Sequence, residues 1–202
     1  NRYNGNDIKV YKNIKNDTNS ISNNMISSIV EDSEQNLWIG TDGGLNKLNL
    51  VTGDITRYLV SDEDKSISNT VVDEVFIDSK GRLWVCTING LNLYDKKSDT
   101  FTRVLYSNNY NVLTSQSIYS IVEDSNNVYW IGTDKGLNKY NEDTGEITKY
   151  TSTDKKKLIS NNSIYDLYMD NNNILWVSTS GGGLNKINTK SEESIVFRND
   201  PN

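Results

Sequence analysis

Histidine is absent from the 202-residue sequence, and its absence removes several classes of chemistry. Ser-His-Asp and Cys-His catalysis both need an imidazole base, and so does pH sensing by imidazole. Without histidine, a metal site would have to consist of oxygen ligands alone, as calcium sites do. We therefore expect no cofactor, no bound metal and no enzymatic activity from this chain.

Cysteine is nearly absent as well, because Cys86 is the single one and cannot form an intrachain disulfide. It belongs to a repeated motif, where Gly40, Gly132 and Ser178 take its place in the other copies. These residues share a small size, which indicates a tight packing position rather than a reactive thiol.

Long apolar runs are also missing. No stretch approaches the roughly 18 residues of a membrane-spanning helix, and no signal peptide opens the chain. The sequence starts with Asn1 instead of methionine, so we interpret it as a piece of a longer parent. The net charge of -6 and the pI near 4.8 argue against nucleic-acid binding, which requires a basic surface. We expect neither a nucleic-acid partner nor direct membrane insertion by this segment.

One motif is written four times in the chain. It occupies residues 37–47, 83–93, 129–139 and 175–186, the last copy with one extra glycine. All tryptophans of the protein lie in it, at the evenly spaced positions 38, 84, 130 and 176, which gives a period of 46 residues. A fixed period of about 20–50 residues is typical of a repeat architecture.

Each period contains four short strand patterns separated by turn residues. In the third copy the patterns cover 117–123, 128–133, 137–141 and 146–150, and no helical pattern of useful length occurs. Four antiparallel strands in a unit of about 40–50 residues are the signature of a β-propeller blade. The predicted fold class is therefore all-β, with strands a to d running from the central channel to the rim of each blade.

The same period sets the predicted blade boundaries. Residues 21–66, 67–112, 113–158 and 159–202 form blades 1 to 4, and residues 1–20 hold the end of a preceding blade. The whole of 1–202 is thus a single propeller segment, a partial arc of four complete blades and an N-terminal half blade. Propellers close with about 4–8 blades, and an open arc exposes apolar faces. Either the parent ring has about seven blades, or two arcs pair to cover their ends.

Both faces of a blade pack on neighbouring blades, which explains why strand b carries adjacent large apolar residues such as Trp84 and Val85. The tryptophans are expected to act as wedges between blades. The glycine before each strand c is expected to supply a turn conformation that other residues avoid. The predicted core consists of Ile29, Trp38, Ile39, Leu45, Val75, Trp84, Val85, Leu91, Ile121, Trp130, Ile131, Leu137, Leu167, Trp176, Val177 and Leu184.

The succession of Ile-Ser-Asn-Asn, a later Asp, Leu-Trp-(Ile/Val)-x-Thr and Gly-Leu-Asn resembles the two-component regulator propeller repeat. It is present at 21–49 and most fully at 159–188. The two middle copies depart slightly, with Ile88 in place of the Asp after Thr and Tyr129 in place of the Leu before Trp. The resemblance implies the extracytoplasmic sensor of a hybrid two-component or related membrane signalling protein, which senses oligosaccharides and is linked through a transmembrane helix to an output module.

The expected function is therefore non-catalytic ligand sensing by an extracytoplasmic propeller that belongs to a membrane-anchored parent. A secreted carbohydrate-binding or protein-interaction propeller without a signalling module is the alternative. A lyase or hydrolase is a weaker one, because streptogramin-lyase-like propellers rely on an active-site histidine. Expected partners are an oligosaccharide or small molecule, and neighbouring blades of the parent or a second copy.

A ligand site is expected where the blades converge, on the face of the b–c and d–a loops, because loops on a rigid scaffold carry binding residues. The d–a loops there span 62–65, 106–111 and 154–157. Tyrosine stacking and carboxylate hydrogen bonds suit a sugar, although the tyrosines could also simply fill the channel. The Asp-Ser-x-Asn turns suit hairpins, with calcium binding as the alternative. The candidate ligand-binding residues are Asp42, Asp134, Tyr119, Tyr165 and Ser180.

Overall fold

The computed structural model describes residues 1–3, 5–61, 65–106 and 112–199. Across these ranges the regular elements are eighteen β-strands, and no helix that could cross a membrane is present. In chain order the strands are β1 (Arg2–Tyr3), β2 (Ile8–Lys9), β3 (Ile26–Glu31), β4 (Asn36–Thr41), β5 (Gly44–Asn49), β6 (Ile55–Tyr58), β7 (Val72–Ile77), β8 (Leu83–Thr87), β9 (Gly90–Asp95), β10 (Thr100–Val104), β11 (Ile118–Glu123), β12 (Val128–Thr133), β13 (Gly136–Asn141), β14 (Ile147–Tyr150), β15 (Ile164–Met169), β16 (Ile174–Thr179), β17 (Gly183–Asn188) and β18 (Glu193–Phe197).

The strands from β3 onward form four antiparallel sheets of four strands, and each sheet uses strands that follow one another in the chain. Strands β1 and β2 pair separately as a two-stranded sheet. The first strand of each sheet, strand a, packs beside strand a of the next blade, so the a strands form the inner wall. This confirms the predicted all-β propeller arc of four complete blades with an N-terminal half blade.

Strand positions follow the sequence pattern closely. In the third blade, β11 to β14 differ from the predicted spans by at most one residue at either end. In the half blade, strand β2 is only two residues long, because only Arg2 and Tyr3 of β1 pair with it. The glycines before strand c adopt the predicted left-handed conformation, for example at Gly44 (φ 119°) and Gly90 (φ 125°).

A β-bulge interrupts strand a of every blade close to its start. In β11 the register against β12 shifts between Ile118 and Ser120, so that Tyr119 is the extra residue, and β3, β7 and β15 show the same shift. Bulges redirect side chains and locally end regular pairing. Past the bulge, the amide of Leu167 donates to Ser120 Oγ of the preceding blade (3.1 Å), and a serine makes the same bond between blades 1 and 2.

The apolar core lies between the blades. Trp38 and Leu45 of blade 1 pack on Val72, Val75 and Val85 of blade 2, and equivalent clusters fill the next two interfaces. The predicted wedge role is thus confirmed for the first three tryptophans, which are at most 3% exposed. Burying one such ring removes about 150–250 Å² of surface from water.

The prediction of a buried position is wrong for three residues of the predicted core. Ile29 is 56% exposed, Leu184 is 37% exposed and Trp176 is only half-buried. Ile29 lies on the outward face of blade 1, and the other two lie on the outward face of blade 4. No blade follows blade 4 within the described ranges, and the half blade covers only part of the face of blade 1, with Tyr11 packed beside the buried Ile39. The remaining predicted core residues are buried.

Candidate functional site

The sheet register brings the candidate ligand-binding residues to one end of the blades. Strand b ends at the same level at which strand a begins, as in the pairs Ile118 with Thr133 and Ile164 with Thr179. The residue after strand b and the bulge residue of strand a therefore lie at the same end of each blade. We refer to this end, where the inner strands converge, as the channel mouth.

The b–c loop candidates differ in their surroundings. Asp42 is exposed, and its amide donates to Met25 O (3.3 Å). Asp134 is half-buried, and its Oδ1 is buried without a hydrogen-bond partner among the described residues. Ser180 is half-buried, with its amide bonded to Ser163 O (2.9 Å). An unpartnered buried carboxylate oxygen is unfavourable in the free protein and available to a hydrogen-bond donor.

The two tyrosine candidates occupy the bulge position of strand a. Tyr119 in blade 3 is half-buried, whereas Tyr165 in blade 4 is 64% exposed. The register thus places Tyr119 and Asp134 at the same end of blade 3, and Tyr165 and Ser180 at the same end of blade 4. Asp42 lies two blades before Asp134, at the equivalent place.

A further acidic residue at the channel mouth, Asp73, takes the bulge position of blade 2. Burial, and then the charge of Asp42, raise the pKa of Asp73 to about 6. Its Oδ2 is buried without a partner in the described part of the chain. Asp73 is not among the candidate residues predicted from the sequence. The signal was available, because Asp73 itself departs from the serine of blade 1.

Glu74, next along the inner wall, was missed. It stands where Ser28 and Ser120 stand in the neighbouring blades, and its Oε2 accepts the Ile121 amide (2.5 Å). Burial raises the pKa of Glu74 to about 7, against the hydrogen bonds from Ile121 and Ser120, and the charge of Asp166 adds to the rise. A departure from the repeat at this position was the signal that could have revealed it.

The single thiol of the chain lies in the core between two blades. Cys86 is fully buried between blades 2 and 3, and burial, together with the charges of Glu74 and Asp73, raises the pKa of its thiol well above the usual value. The thiolate, which is the nucleophilic form, is therefore disfavoured. The packing position predicted for Cys86 agrees with this burial.

The aspartates of the a–b turns already accept hydrogen bonds from other groups of the protein. Asp32, Asp78 and Asp170 each accept the indole N–H of the tryptophan six residues later, at 2.8–3.2 Å. Within the described ranges, no group of three or more Asp, Glu or Cys side chains is arranged to hold a metal ion.

Of the predicted d–a loops, residues 62–64 and 107–111 lie outside the described residues. Asp154 accepts the Thr151 amide (2.6 Å).

A family sequence model described as Two component regulator propeller matches the chain three times, at residues 20–43, 112–135 and 158–181. These segments begin at the end of the d–a connection and extend through strands a and b into the b–c turn. No curated protein sequence gives a significant match.

Solved structures with the same fold include two extracellular domains from B. thetaiotaomicron. One, from a putative hybrid two component system, is 22% identical, with a TM-score of 0.75 over 88% of this chain and 25% of that one. The other, from a putative one component system, is 23% identical, with a TM-score of 0.74 over 86% of this chain and 25% of that one. This chain therefore spans about a quarter of their length.

Virginiamycin B lyase from Staphylococcus aureus is also similar, at 20% identity and a TM-score of 0.62 over 88% of this chain and 56% of the lyase. At such identities the likeness concerns the propeller fold, which enzymes and sensors share. The three matches of the family model concern the sequence of the repeat. In three of the four blades, the repeated unit of this chain thus matches the two-component regulator propeller repeat.

Proposed function

We propose that the chain is part of the extracytoplasmic ligand-sensing propeller of a two-component-type signalling protein whose parent chain is anchored in the membrane. The observation that carries this proposal is the match of the family model to three of the four blades. The extracellular domains from putative two component and one component systems, which have the same fold, support it.

The ligand in this proposal is an oligosaccharide or a similar small molecule that binds at the channel mouth. Tyr119 offers a ring face for stacking, and Asp134 at the same end of blade 3 has a carboxylate oxygen that lacks a donor among the described residues. Asp42 and Ser180 extend the polar lining on the outer blades, and the exposed Tyr165 adds a second ring. A ring face flanked by hydrogen-bonding groups is typical of small-molecule sites.

The proposed role is non-catalytic, although propeller lyases share the fold. The chain has no histidine to serve as a base, and the thiol of Cys86 is buried. A secreted carbohydrate-binding or protein-interaction propeller without a signalling module is the second candidate. It is supported by the same polar channel mouth, which does not depend on an output domain.

A thermal-shift screen with oligosaccharides of different composition tests the binding proposal. A ligand that raises the melting temperature and is recovered intact supports sensing, and a ligand that is consumed contradicts the non-catalytic role. Tyr119→Ser and Asp134→Ser copy residues that other blades carry at these positions, so they should fold and abolish the shift. Asp143→Ser, in the c–d turn at the opposite end of blade 3, is the matched control.

The signalling role is tested separately by sequencing the reading frame on both sides of these codons. Further repeats followed by a transmembrane segment and a kinase or another output module would support it. A frame that encodes only a secretion signal and this propeller would favour the second candidate.

A further inference from the structure

A groove runs between each pair of consecutive blades at the end opposite the channel mouth. One wall is the a–b turn of the first blade, and the other wall is formed by the a–b and c–d turns of the second blade. The groove between blades 1 and 2 contains a cavity of about 540 Å³. The other two grooves have the same backbone, so they serve as internal references for what closes a groove.

Side chains of blade 3 close the groove between blades 2 and 3. Glu123 accepts the amide and the hydroxyl of Ser79 (2.6 and 2.9 Å) from the opposite wall. The ring of Tyr129 lies against Trp84, with 5.0 Å between centroids, and its hydroxyl accepts from Arg82 Nη2 (2.7 Å). Polar bonds therefore span this groove and an aromatic ring fills it.

The groove between blades 3 and 4 is closed by an asparagine. Asn173 Oδ1 accepts the Ser125 amide (3.4 Å), and Asn173 Nδ2 donates to the Ser125 hydroxyl. Asn173 adopts a left-handed backbone conformation (φ 57°), which asparagine tolerates.

Between blades 1 and 2 the three closing residues are replaced. Ile77 stands where Glu123 stands, Leu83 takes the place of Tyr129, and Gly81 takes the place of Asn173. A Cβ added to Gly81 would meet no atom within 4 Å, so the space above the turn is open. Sequence differences at three positions thus leave this one groove unfilled.

The open groove has an apolar floor and a charged rim. Ile77, Leu83 and the ring of Tyr94 line the floor, with Trp38 behind Tyr94 at 4.8 Å between centroids. Glu34 and Lys96 form an ion pair between the two walls. Asp32 and Asp95 also line the groove, but their carboxylates accept hydrogen bonds within their own blades. Among the described residues, no side chain forms a hydrogen bond or a salt bridge with the ammonium group of Lys97, although the charge of Asp95 lies near it. The hydroxyl of Ser33 lacks the bond that Ser79 and Ser125 make.

We propose that this groove is a binding site for a small molecule that carries a flat ring and a carboxylate. The ring lies on Leu83 and Tyr94, and the carboxylate accepts from Lys97 Nζ and Ser33 Oγ. The cavity volume is within the range of about 300–1,000 Å³ that ligand sites occupy, and an apolar floor with few polar groups is their usual lining. Arg82 and Lys96 of the lining are held in ion pairs with Asp78, Glu142 and Glu34, so the ammonium group of Lys97 is the cation that would attract the carboxylate. The site is separate from the channel mouth, because it lies at the other end of the blades.

The probe for this site is 4-hydroxybenzoate, titrated into the ¹⁵N-labelled chain, with neutral 4-hydroxybenzamide as the matched comparison. We expect saturable shifts of the amide signals of Gly81 and Lys97, and at least fivefold weaker binding of the amide. Lys97→Gln should weaken the benzoate at least fivefold. Lys190→Gln, the equivalent lysine of blade 4, should leave its affinity unchanged.

Gly81→Asn tests the origin of the cavity. The asparagine should bond to Ser33 as Asn173 bonds to Ser125, close the groove and weaken the benzoate at least tenfold, with the remaining amide spectrum preserved. Leu83→Tyr copies blade 3 and should act in the same way. The proposal is overturned if the benzoate causes no shift at the groove, if both closing variants bind it as the unmodified chain does, or if the shifts lie at Asp134 instead.

Discussion

The aspartate that opens the a–b turn of blades 1, 2 and 4 combines two functions in one carboxylate. Asp78 Oδ1 accepts the amides of Lys80 and Arg82 at 3.0 and 2.8 Å, which shapes the turn. Its Oδ2 accepts the Trp84 indole N–H at 2.8 Å and the Tyr129 hydroxyl of the next blade at 3.0 Å. In blade 3 the turn bonds are kept, but the buried Trp130 indole N–H has no partner among the described residues.

This difference predicts unequal losses on truncation. Asp78→Ala leaves the indole N–H unpaired, removes one bond of the Tyr129 hydroxyl and breaks the ion pair with Arg82, so it should lower the free energy of unfolding by about 3 kcal/mol. Asp124→Ala removes turn bonds only and should cost about 1 kcal/mol. Urea unfolding of the two variants measures both values. Equal losses would contradict the role assigned to the indole bond.

Glu74 couples stability to pH through its position in the inner wall. Its carboxyl ordinarily titrates near pH 4.5, and burial raises its pKa to about 7 in the folded chain. Below pH 4.5 the Glu74 carboxyl is protonated in both the folded and the unfolded chain. Between the two values the unfolded chain ionises while the folded chain resists ionisation, so stability falls as the pH rises.

We therefore expect the free energy of unfolding to decline between pH 4.5 and 7, with Glu74 contributing at most about 3 kcal/mol of the decline. Glu74→Gln keeps an acceptor for the Ile121 amide and cannot ionise, so its curve should be flatter in this window. Asp73, whose pKa is also raised, is present in both proteins, so its contribution to the pH dependence cancels in the comparison. Chemical unfolding at a series of pH values measures the difference, and parallel curves would refute the assignment.

The loop that leads into strand a of each blade is hydrogen-bonded to an asparagine of strand c. Asn138, fully buried in β13, accepts the Thr114 amide and donates to Thr114 Oγ1, both at 2.8 Å. The neighbouring Leu113 is also buried, so the connection is fixed by a polar and an apolar anchor together. The other blades repeat the bond between this amide and the asparagine at 2.7–3.0 Å.

Asn138→Ala should release this connection locally. The Thr114 amide would lose its buried acceptor, at a cost of about 2 kcal/mol, and should exchange with deuterium much faster. The Ser68 amide, which Asn92 holds in blade 2 at 3.0 Å, is an internal control and should keep its protection. Uniform acceleration of exchange at both amides would mean that the asparagine stabilises the whole arc instead.

Across the whole arc, identical positions differ in energy because only the inner blades have two neighbours. Ile29 and Ile121 are equivalent residues of strand a, but Ile29 is 56% exposed and Ile121 is fully buried. The outward face of blade 4 carries Tyr168, Phe197 and Leu184, which are 63%, 49% and 37% exposed. Apolar surface of this kind marks places where contacts with other chains or segments form.

Threonine at these two positions should separate the effects of sequence and environment. Ile121→Thr places a hydroxyl among apolar side chains and should lower the free energy of unfolding by about 2–3 kcal/mol. Ile29→Thr should change it by less than about 0.5 kcal/mol, as surface substitutions usually do. Thermal or urea unfolding distinguishes the two. A large loss at Ile29 would indicate that a partner covers this face in solution.

The positions of most candidate site residues within the blades could be predicted from the sequence. The position of Asp42, Asp134 and Ser180 after strand b follows from the motif alone, because every blade repeats the same turn. The placement of Tyr119 and Asp134 at the same end of blade 3 follows from the register of one hairpin. The acidity of Asp73 and Glu74 could not be predicted in this way, because it depends on the burial that an adjacent blade provides.

The repeat period determined the number of blades, the order and spans of their strands, and the wedge positions of Trp38, Trp84 and Trp130. Local pattern suffices for these features because each blade is a short antiparallel sheet of consecutive strands, specified by residues close together in the chain. The exposure of Ile29 and Leu184, the raised pKa of Glu74 and the open groove beside Leu83 were decided only by the tertiary structure. Each depends on an adjacent blade, some 46 positions away in the chain. A residue of that blade either covers the side chain, removes water from around the carboxyl group, or fills the groove.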